Sequence, residues 1–90
     1  MRKINLDVVM NFFIKNGDEM YLYHSDFRRN VYKKTERGEI SIFEGALFTN
    51  FSDLKSGTEP LDLIMYLKDC SRPQAQGILN KIYKEVKNGY

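Results

Sequence analysis

Residues 51–70 read FSDLKSGTEPLDLIMYLKDC, a glycine turn that runs directly into an amphipathic helix. Thr58 can cap a first helical turn that contains Glu59 and Pro60. Proline is favoured in that turn because a residue at the start of a helix has no intrahelical use for a backbone N–H group. The segment therefore predicts a tight turn at Gly57 and a helix that begins beside Thr58.

The same segment resembles the zinc-knuckle-to-helix segment of bacterial-type DNA primases. In that family a Cys-x-x-Cys knuckle leads through a glycine-rich turn to an acidic residue and an apolar helix. Gly57 and Thr58 match the glycine pair, Glu59 matches the first acid, and residues 62–65 match the helix. The resemblance implies that residues 1–90 form a single module like the primase zinc-binding domain. It also implies an α+β fold, with a small antiparallel sheet of the zinc-ribbon type, an N-terminal helix and two C-terminal helices.

The two knuckle cysteines of that family are missing here. Counting back from Glu59, Phe51 and Leu54 stand where the two thiolates are expected. Thiolate sulfur binds zinc and hydrocarbon does not, so we expect no zinc, and we expect no other cofactor. Burial of Phe51, Leu54 and Phe27 would contribute about 1.5 to 3 kcal/mol each and turn the knuckle into a hydrophobic corner. In the alternative interpretation Phe51 and Leu54 are strand-end core residues without metal ancestry, which predicts the same burial.

The resemblance extends loosely over most of the chain. Residues 4–9 match the family's opening helix, and residues 15–27 match the strand that leads to its Cys-x-x-His half-site. His24 and Phe27 have the spacing of that half-site, but Cys70 lies beyond the knuckle helix and no second ligand pair exists. The extended resemblance therefore concerns the fold, since it completes no metal site.

Length and composition favour one small domain. The chain has 90 residues, of which 42% are hydrophobic, and a formal net charge of +2. A domain of this size buries only about 60% of its unfolded surface, so its core must be efficient. The single cysteine excludes an internal disulfide and suits a reducing cytoplasm. We find no membrane-spanning run and no signal-peptide pattern, so we expect a cytoplasmic protein with no membrane partner.

Hydrophobic periodicity predicts the order of the elements. An N-terminal helix is predicted by apolar residues at helical spacing, namely Ile4, Val8, Val9, Phe12 and Phe13. Asn16 and Gly17 then end that helix. Strands are predicted next, over residues 20–24, 31–34, 39–43 and 46–51. Gly45 can supply the positive φ of a tight hairpin, and we expect the strands to form one antiparallel sheet.

The final helix begins at a capping box. Ser71 and Gln74 form this box around Pro73. One face of the helix carries an apolar stripe made of Ala75, Ile78, Leu79, Ile82 and Val86. The stripe is shorter than the three or four heptads that a coiled coil needs, so we expect it to pack on the core.

The sequence lacks the residue patterns of an enzyme. His24 is the only histidine, and its neighbour Asp26 favours a solvated turn or strand end over a general base. Cys70 is expected to be a small apolar filler. The phosphate-binding and dinucleotide-binding glycine patterns are missing, as are paired metal-binding carboxylates. We therefore expect no catalysis by this chain alone.

A basic segment indicates binding instead. Five cations fall within ten residues, with a tyrosine among them: Arg28, Arg29, Lys33, Lys34 and Arg37, with Tyr32. Cations bind phosphates, and exposed tyrosines stack on unpaired bases with about 1 to 3 kcal/mol per base. These six residues predict a site for single-stranded DNA on the sheet. The alternative is a solvated edge strand that its charges protect from aggregation.

Two functions of different classes follow. The first is a single-stranded-DNA-binding accessory subunit of a primase or priming polymerase, from a mobile element, plasmid or phage, with a primase, polymerase or helicase subunit as its partner. It is favoured because the sheet of the primase domain is implicated in recognising template DNA. The second is a protein–protein interaction factor, either an assembly subunit or a phage-type inhibitor, that keeps the fold without DNA binding. Leu6 and Met10 of the N-terminal helix are the candidate docking surface, unless all of that helix's large apolar residues are core.

Overall fold

The computed structural model describes residues 4–17, 20–25, 29–34 and 38–87. Within these ranges the elements are α1 (Leu6–Lys15), β1 (Met20–Ser25), β2 (Arg29–Lys34), β3 (Gly38–Phe43), β4 (Leu47–Asn50), β5 (Lys55–Gly57), α2 (Pro60–Lys68) and α3 (Arg72–Lys87). The predicted α+β class, with a helix, then an antiparallel sheet, then two C-terminal helices, is confirmed. No helix in the described ranges is long and apolar enough to cross a membrane.

The sheet is a meander in which each strand pairs with its neighbour in sequence, in the order β1-β2-β3-β4-β5. All of the pairings are antiparallel. β3 and β4 are joined by a tight turn, in which Glu44 has a φ of 54° and Gly45 a φ of 71°. The predicted hairpin at Gly45 is therefore confirmed. The predicted turn at Gly57 is wrong, because Gly57 ends a short strand, β5, and the chain bends at residues 58–59 instead. This strand was not predicted, because its three residues, Lys55 to Gly57, carry no apolar alternation.

One face of the sheet, the inner face, packs against the helices. Ile40 of β3 lies between Tyr32 of β2 and Asn50 of β4, and Ile42 pairs with Phe48. These side chains are buried, and the four apolar ones belong to a single core cluster. The helices contribute Leu6, Val9, Met10, Phe13, Leu63, Ile64, Leu67, Ala75, Leu79 and Ile82 to the same cluster. The core is thus one apolar layer between the sheet and the helices.

The buried stripe of α1 differs from the predicted one. Leu6, Val9, Met10 and Phe13 are buried, at the spacing of one helix face, whereas Val8 is half-buried. The prediction that Leu6 and Met10 form a docking surface is therefore wrong, because both side chains lie inside the core. The structure agrees with the alternative, in which these residues of α1 belong to the core.

The two C-terminal helices begin in different ways. The residue that caps α2 is Glu59, which makes no side-chain capping hydrogen bond, so the prediction that Thr58 caps this helix is wrong. The backbone is still extended at Glu59, with φ −103° and ψ 146°, so the helix begins with Pro60. At α3 the predicted capping box is confirmed: the Ser71 backbone N–H donates to Gln74 Oε1 over 3.0 Å, and the Gln74 N–H donates to Ser71 Oγ over 3.4 Å.

Two glycines of this fold respond in opposite ways to an added methyl group. At Gly57 a Cβ atom would lie 2.7 Å from the buried Phe48 ring and 3.0 Å from Asp62 Cβ, whereas at Gly77 it would meet nothing within 4 Å. We expect Gly57→Ala to destabilise the protein by about 1 to 3 kcal/mol through overpacking. We expect Gly77→Ala to stabilise it by about 0.5 to 1 kcal/mol, because alanine loses less backbone entropy in a helix. Urea denaturation of both variants measures the difference, and equal effects would contradict the placement of Gly57 against Phe48.

Candidate nucleic-acid interface

The second face of the sheet, the outer face, carries the alternate residues of the same strands. Its described residues are Arg29, Val31, Glu39, Ser41, Phe43, Leu47, Thr49 and Ser56, as the strand register requires. Val31 is buried but lies outside the core cluster that the inner face and the helices form. Among the described residues the helices therefore pack on the inner face, and the outer face presents its side chains away from that core.

A row of three residues crosses this face from β2 to β4. Arg29 pairs directly with Phe43, and Phe43 pairs directly with Leu47. Phe43 is 44% exposed, Leu47 is 40% exposed, and Arg29 is exposed as well. Side chains that face each other on neighbouring strands have Cβ atoms about 4.5 to 5.5 Å apart. We call these three residues the outer row, in which a guanidinium group, an aromatic ring and an aliphatic side chain are adjacent.

The outer row agrees only partly with the predicted DNA-binding residues. Arg29 is exposed and lies in the row. Tyr32 is only 4% exposed and belongs to the inner face, so its predicted stacking on bases is wrong. The position of Tyr32 along β2 explains its burial, because Tyr32 pairs with the buried Ile40 of the inner face. Lys33 and Lys34 lie in β2, but their side chains lie outside the described part of the structure, as do Arg28 and Arg37 entirely.

Phe43 is the residue that sequence reasoning missed. Residues 40–43 read ISIF, and the two isoleucines at alternate positions are both buried. Because side chains along a strand alternate between faces, burial of Ile40 and Ile42 requires Phe43 to face outward. The signal was therefore present in the sequence, as an aromatic residue at the outward position of a strand.

A hydrogen-bond network holds the turn between β4 and β5. The Asn50 side chain is fully buried and donates from Nδ2 to Tyr66 Oη over 2.9 Å, and Tyr66 Oη donates to Asp53 Oδ2 over 2.5 Å. Asn50 Oδ1 accepts from the Ser52 N–H over 2.8 Å, and Asp53 Oδ1 accepts from the Lys55 N–H over 3.1 Å. We call residues 51–54, which this network connects to α2, the 51–54 turn.

The 51–54 turn presents two large apolar side chains to solvent. Phe51 is 67% exposed, and Leu54 is 83% exposed with a φ of 60°, in the left-handed region. The prediction that Phe51 and Leu54 form a buried hydrophobic corner is therefore wrong, and so is the alternative that they are core residues. Phe27, the third residue of that corner, lies outside the described residues. The turn is held by polar contacts below it, which leave its apolar side chains uncovered.

Metal ligands do not converge in the part of the chain that the structure describes. No group of three or more His, Cys, Asp or Glu residues is placed to hold an ion there. Cys70 is half-buried and packs against the core cluster, which agrees with its predicted role as a small apolar filler. His24 lies in β1, and its side chain is outside the described part.

Comparison with protein-family models, with curated protein sequences and with solved structures finds no match to this chain. The resemblance of residues 51–70 to the primase knuckle segment stays a prediction. What the structure adds to it is the geometry of the outer row and of the 51–54 turn.

The Tyr66 hydroxyl joins the 51–54 turn to α2, so its removal should loosen that connection. Tyr66→Phe removes the acceptor of Asn50 Nδ2 and the donor to Asp53 Oδ2. We expect a loss of about 1 to 2 kcal/mol in the free energy of unfolding, measured by chemical denaturation. Tyr83→Phe is the matched control on α3 and should change stability by less than about 0.5 kcal/mol. Equal stability of the two variants would show that the network contributes nothing.

Proposed function

We propose that this chain is a non-catalytic, single-stranded-DNA-binding accessory subunit of a primase or priming polymerase of a mobile element, plasmid or phage. The observation that carries the DNA-binding part is the outer row, because it places an exposed aromatic ring beside an exposed arginine on an antiparallel sheet. Unpaired bases stack on such a ring, and the guanidinium group neutralises a neighbouring phosphate.

In this proposal Phe43 takes the stacking role that the sequence suggested for Tyr32. Leu47 extends the apolar surface beside the ring, since it pairs with Phe43 across the hairpin. Arg29 supplies the cation at the β2 end of the row. Arg28, Lys33, Lys34 and Arg37 remain proposed phosphate contacts on the strength of the sequence alone. The binding expected from such a surface tolerates many sequences, because every base has an aromatic face.

The link to priming rests on the resemblance of residues 51–70 to the primase knuckle segment. A primase, polymerase or helicase subunit is the proposed protein partner, and the cytoplasm is the proposed location. The exposed 51–54 turn supports a protein partner, because Phe51 and Leu54 offer apolar surface that a partner can bury. Its hydrogen bonds hold the turn before binding, which reduces the entropy lost on association.

The same turn favours the second candidate function, a protein–protein interaction factor without DNA binding. Phe51 and Leu54 are two large apolar side chains on a turn that hydrogen bonds hold in place. Such side chains are suited to fill a pocket of a partner protein. The DNA contact and the protein contact use different residues, since the first lies in the outer row and the second lies on the 51–54 turn. Substitution of Phe43 in the outer row and of Phe51 in the turn therefore tests the two contacts independently.

Phe43→Ala and Phe51→Ala form a matched pair, because each removes one exposed phenyl ring. We expect Phe43→Ala to weaken binding of a short single-stranded oligonucleotide by about 1 to 3 kcal/mol, and Phe51→Ala to leave it unchanged. Fluorescence anisotropy at low salt measures both affinities. In pull-downs with the proposed primase, polymerase or helicase subunit, the opposite pattern is expected, with loss of the partner in Phe51→Ala. Unchanged oligonucleotide affinity in Phe43→Ala would remove the outer row as the DNA site.

The salt dependence of binding tests the phosphate contacts. If about four cations meet phosphates, log affinity should fall with log salt at a slope near −3, at about 0.7 per single-strand contact. Arg29→Ala should make that slope shallower by about 0.7, whereas Phe43→Ala should leave it unchanged because stacking releases no counterions. No detectable oligonucleotide binding at low salt, with or without the partner, would refute the DNA-binding function.

A further inference from the structure

A cleft of about 380 Å³ lies between the start of α2 and the middle of α3. It is lined by Glu59, Leu61, Gln76, Leu79, Asn80 and Tyr83. Its volume falls at the lower end of the range of about 300 to 1,000 Å³ that small-ligand sites occupy. The cleft lies on other elements than the outer row, which belongs to β2, β3 and β4.

The lining of this cleft combines apolar surface with paired amides. Leu79 is buried, and Leu61 and Tyr83 are half-buried, so the apolar part of the lining is fixed by the core. Gln76 Nε2 donates to Asn80 Oδ1 over 3.1 Å, one helical turn along α3. Within the described residues this bond uses one donor of the Gln76 side chain and the acceptor of the Asn80 side chain. The side-chain oxygen of Gln76 and the side-chain N–H groups of Asn80 therefore remain for a ligand. A planar ligand with adjacent donors and acceptors on its edge matches such a pair.

The cleft and the surface of α3 next to it carry opposite charges. Glu59 is a negatively charged lining residue at the start of α2, which disfavours an anionic group on that side of the cleft. Lys84 and Lys87 follow Asn80 and Tyr83 by four residues on α3, and side chains four apart are neighbours on a helix. Both lysines are exposed. A ligand with a neutral planar part and a phosphate therefore fits with the planar part inside and the phosphate at the lysines.

We propose that this cleft binds a nucleobase, with the attached phosphate held at Lys84 and Lys87. The inference rests on the proposed function, because it gives single-stranded DNA a second point of contact on α3, away from the outer row. Tyr83 and Leu79 provide the surface for the base, and Gln76 and Asn80 pair with its edge. The same chemistry describes a free mononucleotide, so the experiment distinguishes a nucleotide within a strand from a free one.

The test uses the full chain with two probes, a single-stranded oligonucleotide of about 12 nucleotides and deoxyadenosine monophosphate. Asn80→Ala should weaken oligonucleotide binding about fivefold or more without changing the salt slope. Lys87→Ala should make the slope shallower by about 0.7, as the loss of one phosphate contact requires. Lys81→Ala is the matched control, since this exposed lysine lies about 120° around α3 from Lys87. It should leave the affinity and the slope nearly unchanged.

Binding of either probe in the cleft is measured by the change in the NMR chemical shifts of the Gln76 and Asn80 side-chain amide groups. Shifts with the oligonucleotide and weaker ones with the mononucleotide support a site for DNA. Shifts with the mononucleotide, in a chain whose oligonucleotide binding is undetectable at low salt, would keep the cleft as a nucleotide site and reject the proposed function. Oligonucleotide binding that depends on Phe43 but is unaffected by Asn80→Ala, with no amide shift, would overturn the cleft and keep the proposed function. Equal effects of Lys87→Ala and Lys81→Ala would overturn the placement of the phosphate.

Discussion

The burial of Ile40 and Ile42 against the helices is the constraint on which the rest of the structure depends. Both side chains are fully buried in the core cluster, on the central strand of the sheet. Because a strand alternates between two faces, their burial fixes the parity of β3 and, through the register, that of β2 and β4. Phe43 then faces outward beside Arg29 and Leu47. A shift of one residue would bury Phe43 and expose both isoleucines, so the core and the candidate DNA site are determined by the same contacts.

Much of the fold could be predicted from local patterns. The apolar alternation of residues 40–43, the glycine at position 45 and the capping box of Ser71 and Gln74 each signal a structure within a few residues of chain. The start of α2 was less well determined, because Thr58 and Glu59 stand side by side before Pro60 and either one could precede the first turn. The backbone at Glu59 decides between them, and no side-chain pattern in the sequence reports that backbone conformation.

The candidate site was harder to predict, because it depends on contacts between distant residues. Tyr66 reaches Asp53 and Asn50 across 13 and 16 residues of sequence, and this network explains how Phe51 and Leu54 can be exposed on an ordered turn. A sequence read locally assigns such residues to the core, since large apolar side chains are usually buried. The outward-facing aromatic residue, in contrast, could have been predicted correctly. The alternation of side chains along a strand identifies Phe43 rather than Tyr32. Tyr32 lies among the cations in sequence, but its neighbour across the sheet is the buried Ile40.

The meander has a consequence for the way this protein folds. Every strand pairs with the next strand in sequence, so each step of sheet formation closes only a short loop of chain. Proteins whose contacts are local in sequence fold faster than those that must join distant segments, and a meander is among the most local of sheet topologies. The sheet can thus assemble hairpin by hairpin as the chain leaves the ribosome. The part of the inner face that α2 and α3 cover, however, stays exposed until those helices have been synthesised, and for that interval its apolar surface can contact other nascent chains.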